Sequence, residues 1–292
     1  MSKTLRRLSC VLLLCLAVPF AAGANAAESF TFGDMTVYPL LDAGGERNVA
    51  DILLDFPDER IKAILPDGKD KSSILAYAVS FPGRTVLFDA GLGITNGGKA
   101  LEALKAAGLS PENIDVVVIS HMHGDHIGGL VANGKAVFPK AIILLAMQER
   151  DWWLDPARAG ERYAGNADLA RKALDAYPGR VATFFFDQTI LPGVTARAAL
   201  GHTPGHTIYD LNSGGGRFLI VGDFMHVADI QFPHPEVSVT YDVDPVAAAQ
   251  ARKIVLQQAA DQNVAIAGMH LPFPGIWKVK VKGSGFERVA VK

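Results

Sequence analysis

Cysteine is almost missing from this chain. Its 292 residues include two, Cys10 and Cys15, both within the first 26. The remainder therefore has no disulfide, no thiolate nucleophile and no sulfur ligand for a metal. Charge of one sign is also lacking. Against 30 Asp plus Glu stand 28 Lys plus Arg, a formal net charge of −2, which removes the basic footprint that a nucleic-acid binder needs. Beyond the N-terminal segment no apolar run is long enough to span a bilayer, so no membrane anchor is expected. The 29 Gly and 16 Pro show no period and no low-complexity tract, and with 49% hydrophobic residues the chain is not intrinsically disordered. What is left has the composition of a globular enzyme or binding module.

The N-terminus reads as an address. Lys3, Arg6 and Arg7 form a basic region, Cys10 to Phe20 is apolar but too short to cross a membrane, and Ala24-Asn25-Ala26 has the A-x-A form of a cleavage site. Residues 1–26 are expected to be a signal peptide cut after Ala26, leaving a periplasmic or secreted protein over 27–292. Removing three cations deepens the net charge from −2 to −5.

The mature part mixes strands and helices with no linker and no repeat, the pattern of an α/β single domain of layered sheets with outer helices. Phe30 to Leu41 reads as a strand pair broken at Gly33-Asp34, and residues 43–71 as irregular. Ile114 to Ile119 is a β-branched strand buried on both faces. Residues 148–177 read as a helical insertion. Asp244 followed by Pro245 starts a helix that runs to about Ala260, and Ile276 to Val291 reads as a β-rich tail.

Eight histidines are present, and their placement carries the chemistry. His121-Met122-His123-Gly124-Asp125-His126 follows directly on the strand ending at Ile119. Residues two apart on extended backbone point to one side, so His121 and His123 can grip one ion, with Asp125 and His126 at the turn aimed at a second position. Four ligand-type side chains in six residues at a strand end suit a metal site. Gly201-His202-Thr203-Pro204-Gly205-His206-Thr207 lies on a turn. Gly222-Asp223 ends the strand Phe218 to Val221, and His270 follows the strand Val264 to Ala267.

Taken in order, these motifs resemble the metallo-β-lactamase fold superfamily from about Phe30 onward. His-Met-His-Gly-Asp-His-Ile-Gly-Gly-Leu, Gly-His-Thr-Pro-Gly-His-Thr, Val227-Ala228-Asp229-Ile230-Gln231-Phe232 and Met269-His270-Leu271-Pro272-Phe273-Pro274-Gly275 look like its methyl-parathion-hydrolase-like branch, near the acyl-homoserine lactonases. The resemblance implies an αββα sandwich whose strand-end loops hold two divalent metals. Carried over residue by residue, it places His121, His123 and His206 on the first metal and Asp125, His126 and His270 on the second. Asp223 bridges both, and Asp89 orients a ligand histidine. A sulfur-free set of this kind suits Zn²⁺ first, with Mn²⁺, Co²⁺ and Fe²⁺ left open.

The implied reaction is hydrolysis by a metal-bridging hydroxide, with Asp125, Asp223 and His226 as the catalytic set. His226 stands where the lactonases carry a tyrosine and methyl parathion hydrolase an aliphatic residue. The substrate expected is a small hydrophobic lactone or aryl ester, with organophosphate triesters as the alternative. Trp152, Trp153, Phe232, Tyr241, Leu271 and Phe273 are expected to line an apolar pocket. The bridging aspartate counts against β-lactam hydrolysis, since true class B β-lactamases usually lack it. His123, where the oxygen-reducing diiron branch has Glu, counts against redox chemistry. A non-catalytic scaffold would need a damaged ligand set. The resemblance also implies a homodimer.

Overall fold

A computed structural model describes residues 28–291; the segment expected to be a signal peptide lies outside them. The β-branched and aromatic runs pair into two seven-stranded sheets, each laid down in strict chain order. The first contains β1 (Phe30–Phe32), β2 (Met35–Asn48), β3 (Lys69–Phe81), β4 (Arg84–Phe88), β5 (Val116–Ile119), β6 (Ile142–Ala146) and β7 (Val181–Phe184). The second contains β8 (Gln188–Leu191), β9 (Val194–Ala198), β10 (Thr207–Ser213), β11 (Gly216–Gly222), β12 (Ala265–Gly268), β13 (Ile276–Lys282) and β14 (Gly285–Ala290). Pairing is antiparallel from β1 to β4 and parallel from β4 to β7. In the second sheet only β11 and β12 run parallel.

Alternation along the strands makes the layers. Val116 and Val118 of β5 enter the core between the sheets, with Tyr77, Phe88, Tyr209 and Phe218. Val117 and Ile119 face the opposite way, under the helices of the first sheet. On β11, Phe218 and Ile220 point inward while Leu219 and Val221 meet the outer helix of the second sheet. Two faces of each sheet are thus apolar and both must be covered. The α-helices among the described residues are α1 (Asp58–Ile64), α2 (Ala100–Ala106), α3 (Gly124–Ile127), α4 (Met147–Leu154), α5 (Pro156–Ala159), α6 (Ala164–Asp175), α7 (Ala228–Gln231) and α8 (Pro245–Asp261). Leu104 of α2, Trp153 of α4 and Ala170 and Leu174 of α6 cover the first sheet, while Val255, Leu256 and Ala259 of α8 cover the second. The result is the αββα sandwich.

Three details bear on the site. Residues 43–71 are not irregular: β2 and β3 stay paired out to Asn48 and Lys69 across a bulge between Leu41 and Ala43, and α1 follows Pro57. Cross-strand partners 21 to 31 residues away create that order, so the polar, glycine-containing local sequence does not announce it. The helical insertion is three helices rather than one stretch. Pro156 cannot continue α4, and Asp155 caps α5 by accepting from Ala157 N–H. Gly160, at φ +60°, ends α5. Asp244 caps α8 as expected, accepting from Val246 and Ala247 N–H ahead of Pro245.

The sheets are stitched together at one edge. Tyr209 OH donates to Ile119 O at 2.6 Å, Tyr77 OH to Gly268 O at 3.0 Å, and Leu75 N–H to Met269 O at 2.9 Å. That edge is where the parallel strands β4, β5, β11 and β12 all finish. Carboxyl ends of parallel strands are where open α/β folds place ligands.

Candidate metal centre

All the ligand-type side chains but His202 stand just past one of those strand ends. Asp89 follows β4; His121, His123, Asp125 and His126 follow β5 and enter α3; Asp223 follows β11; His270 lies two residues beyond β12. His202 comes from the turn between β9 and β10. Gly222, at φ +55°, lets the chain turn Asp223 into the site, and a Cβ there would lie 2.6 Å from His206 Nε2.

Two groups form around Asp223. In the first, His121 Nε2 and His202 Nε2 lie 2.9 and 3.0 Å from His123 Nδ1, and 3.7 and 3.5 Å from Asp223 Oδ2. In the second, His270 Nε2 lies 3.2 Å from Asp125 Oδ2 and 2.9 Å from Asp223 Oδ2, while His126 Nε2 is 3.7 Å from Asp125 Oδ2 and 3.2 Å from Asp223 Oδ1. Candidate ligand atoms lie within 4.8 Å of one another in three sets: His121, His123, His202 and Asp223; Asp125, His126 and His270; and Asp223, His226 and His270. Nitrogens bound at about 2.0–2.1 Å to a tetrahedral ion would stand about 3.4 Å apart.

The outward hydrogen bonds decide what these nitrogens present. Ser120 Oγ donates to Asp89 Oδ2 at 2.6 Å, so at 3.0 Å it accepts from His121 Nδ1–H. His126 Nδ1–H donates to Asp89 Oδ2 at 2.7 Å, His202 Nδ1–H to Asp242 Oδ1 at 2.9 Å and His270 Nδ1–H to Ser73 O at 2.9 Å. All four rings keep their Nδ1 proton on an outside acceptor and turn Nε2 inward, where it can offer a lone pair to a cation. On neutral His121, His123 and His202 the facing lone pairs repel one another and the Asp223 carboxylate unless a cation sits among them. His126 Nε2 and Asp223 Oδ1 are buried with no hydrogen-bond partner, which such an ion would supply. The residues fit a pair of cations.

Electrostatics point the same way. Burial pushes His121 well below the usual imidazole range and His123 and His202 down to about 3, so the first group is neutral imidazole. Burial disfavours charge on His126 and His270 too, but the Asp223 and Asp125 carboxylates overcome it, raising His126 well above its usual value and His270 to about 9. Asp223 is held well below the carboxylate range by His126, His270 and His121, against its own burial. Without a cation, protons on His126 and His270 neutralise the carboxylates; a bound metal displaces them.

Several expectations need correction. His206 does not join the first group; His202 takes that place. His206 Nδ1–H donates to Ala199 O at 3.0 Å, and its Nε2 accepts Asp223 N–H at 3.0 Å. Both its nitrogens are spent on backbone because it sits at the root of β10, inside the sheet layer, whereas His202 stands at the tip of the turn. His206 anchors Asp223. Asp89 does orient a histidine, His126, and through Ser120 a second one, His121.

The site opens into a cavity of about 510 Å³ lined by Arg47, Ser72, Ile74, Arg162, Tyr163, Asn166, His226 and Tyr241, with ligand residues at its floor. Of the expected aromatic and apolar lining, only Tyr241 is there. Phe232 and Leu271 are buried under α8, and Phe273 is 41% exposed outside the cavity. Trp153 is buried beneath the site with its ring edge-on to His123 at 5.5 Å, and Trp152, Trp153 and Tyr163 pack edge-on against one another. The wall is amphipathic, with two guanidinium groups, rather than apolar. Arg47 lies in the segment expected to be irregular, Arg162 and Tyr163 in the break between α5 and α6, and Asn166 in the first turn of α6. Asp242 and Glu149, which support the ligand loops, carry no local sequence signal.

A sequence profile described as the Metallo-beta-lactamase superfamily matches residues 70–270, from the start of β3 to the last histidine of the site. This chain belongs to the metallo-beta-lactamase superfamily. Among solved structures, it is similar to the hydrolase AbOPH of that superfamily, at 29% identity and a TM-score of 0.85 over 90% of this chain and 97% of that one. It is equally similar to AidC, a dizinc quorum-quenching lactonase in complex with a product, at 29% identity and a TM-score of 0.84 over 91% of this chain and 97% of that one. An N-acyl homoserine lactonase of Bacillus sp is 29% identical over 113 residues, 39% of either chain. Metallo-beta-lactamase domain-containing protein 1 of Mus musculus is 31% identical over 129 residues, 37% of this chain and 48% of that protein. The chain spans about half or less of the curated superfamily members it matches.

Proposed function

We propose that this metallo-beta-lactamase-fold protein is an exported hydrolase of hydrophobic lactones and carboxyl esters that works with two divalent cations, zinc foremost. The observation that carries this reading is the set of four imidazoles tethered outward through Nδ1 and turning Nε2 toward Asp223. The fold-wide similarity to a dizinc lactonase supports it. His121, His123, His202 and Asp223 would hold one ion, and Asp125, His126, His270 and Asp223 the other. Ions held there would supply Lewis acidity, the chemistry that makes water nucleophilic near neutral pH and polarises a carbonyl.

The protein's own groups do the rest. Asp223 keeps both groups at a common centre. Asp125, 25% exposed, faces the cavity floor. His226 lines the cavity with Nε2 3.3 Å from Asp223 Oδ2, its ring stacked on His270 at 4.8 Å. There it can donate to the carbonyl oxygen or to the departing alkoxide. A cavity of this size suits a small ligand, and the Tyr163 and Tyr241 rings offer apolar surface beside the Arg47 and Arg162 donors. His226→Ala should lower kcat roughly 10²-fold while the protein retains both ions; unchanged kcat would remove His226 from the reaction.

The deciding experiment is a panel of lactones, aryl acetates, phosphotriesters and β-lactams offered to the zinc-loaded protein. Dihydrocoumarin-type lactones and aryl acetates should turn over fastest, and a chelator should abolish all activity. Faster turnover of a paraoxon-like triester or of nitrocefin overturns the ranking. The export part of the proposal rests on the N-terminal pattern and predicts that protein recovered from outside the cytoplasm begins at Ala27.

A further inference from the structure

The insertion does more than wall the cavity. Its first helix, α4, carries Glu149, whose buried carboxylate receives four hydrogen bonds. Oε1 accepts from Met122 N–H at 2.8 Å and Trp153 Nε1–H at 2.7 Å; Oε2 accepts from Thr203 Oγ1–H at 2.7 Å and Gly205 N–H at 2.8 Å. Met122 lies between His121 and His123, and Thr203 follows His202. One side chain therefore ties together the two loops that bring His123 and His202 to 3.0 Å. Neighbours on the insertion reinforce the clasp. Asn166 Nδ2–H donates to Met122 O at 2.6 Å, and Gln148 Nε2–H to Pro204 O at 2.6 Å. The loop presses directly on α4: a Cβ on Gly205 would lie 2.3 Å from Glu149 N. Trp153, its indole N–H fixed by Glu149, stands edge-on behind His123.

We propose that Glu149 is a positioning residue that sets the spacing of His123 and His202, and so tunes the affinity of the first cation group selectively over the second. The inference rests on reading that group as a cation site. A carboxylate is suited to the task because four donors converge on it and it has only acceptors to offer. Glutamine would turn two N–H groups of its own toward donors, losing bonds at one loop while keeping the helix side chain's length. The second group's outward bonds run to Asp89, which also reaches His121 through Ser120, and to Ser73 O; Glu149 touches neither.

The test is Zn²⁺ titration of the purified protein in competition with a chromophoric chelator, with circular dichroism as the check on folding. The wild-type protein should bind two ions. Glu149→Gln should weaken one of them about ten- to hundredfold, the range for partners that orient metal ligands, and leave the other nearly unchanged. Thr203→Val, which deletes one of the four donors, should weaken the same ion by less; together with Trp153→Phe it carries the test if Glu149→Gln does not fold. Two ions bound with unaltered affinity in the folded variants overturn the proposal and spare the cation reading. Equal weakening of both ions also overturns it, since that marks a general scaffold role. A wild-type protein that binds no zinc overturns the cation reading and this inference with it.

Discussion

Asp223→Ala should release both metal ions and lower kcat/KM by roughly 10³-fold or more. Residues that merely orient metal ligands cost ten- to hundredfold when changed, and Asp223 is the one carboxylate within 3.7 Å of His121, His126, His202, His226 and His270 alike. Its removal leaves those imidazoles with Asp125 as the remaining facing carboxylate, and His126 and His270 lose the carboxylate that does most to raise their proton affinity. Asp223→Asn keeps the shape while removing the charge. It should also lose metal, because a neutral amide cannot offset two dications. Elemental analysis with turnover on a lactone is the measurement. A variant that held two ions and full activity would show that Asp223 does not join the two groups.

The second large effect separates the two histidines of the His202-Thr203-Pro204-Gly205-His206 turn. His202→Ala should remove the first ion and reduce turnover about 10²-fold or more. His206→Ala should retain both ions at full stoichiometry. Its cost falls on stability instead, about 1–3 kcal/mol, because Asp223 N–H and Ala199 O are left unpaired in the interior. Metal analysis of the two variants beside their thermal denaturation tells the outcomes apart, and the opposite pattern would restore His206 to the metal.

That pair also shows where sequence reading stops. The buried β-branched run at Val116–Ile119 and the ligand cluster directly after it are legible because strand, turn and donor chemistry all lie within ten residues. Two histidines on one turn are different: spacing presents both, and only the start of β10 at Thr207 draws His206 into the sheet and leaves His202 outside. The substrate wall was less legible still. Phe232 and Leu271 are near ligands along the chain but point into the layer under α8, since closeness in sequence does not fix which face a side chain takes. Arg47 was invisible for the same reason as its strand. The end of β2 is held by distant partners on β3, and its own composition resembles a loop.

The strict order of strands has a consequence of its own. Every strand of the first sheet precedes every strand of the second, and only three residues separate Phe184 from Gln188. The proposed donors divide at that link, with His121, His123, Asp125 and His126 upstream and His202, Asp223 and His270 downstream. Neither stretch alone assembles either coordination sphere. Zinc uptake is thus a reporter of the union of the two, and a chain interrupted between Phe184 and Gln188 would offer a natural pair of fragments whose complementation is read by the metal they jointly capture.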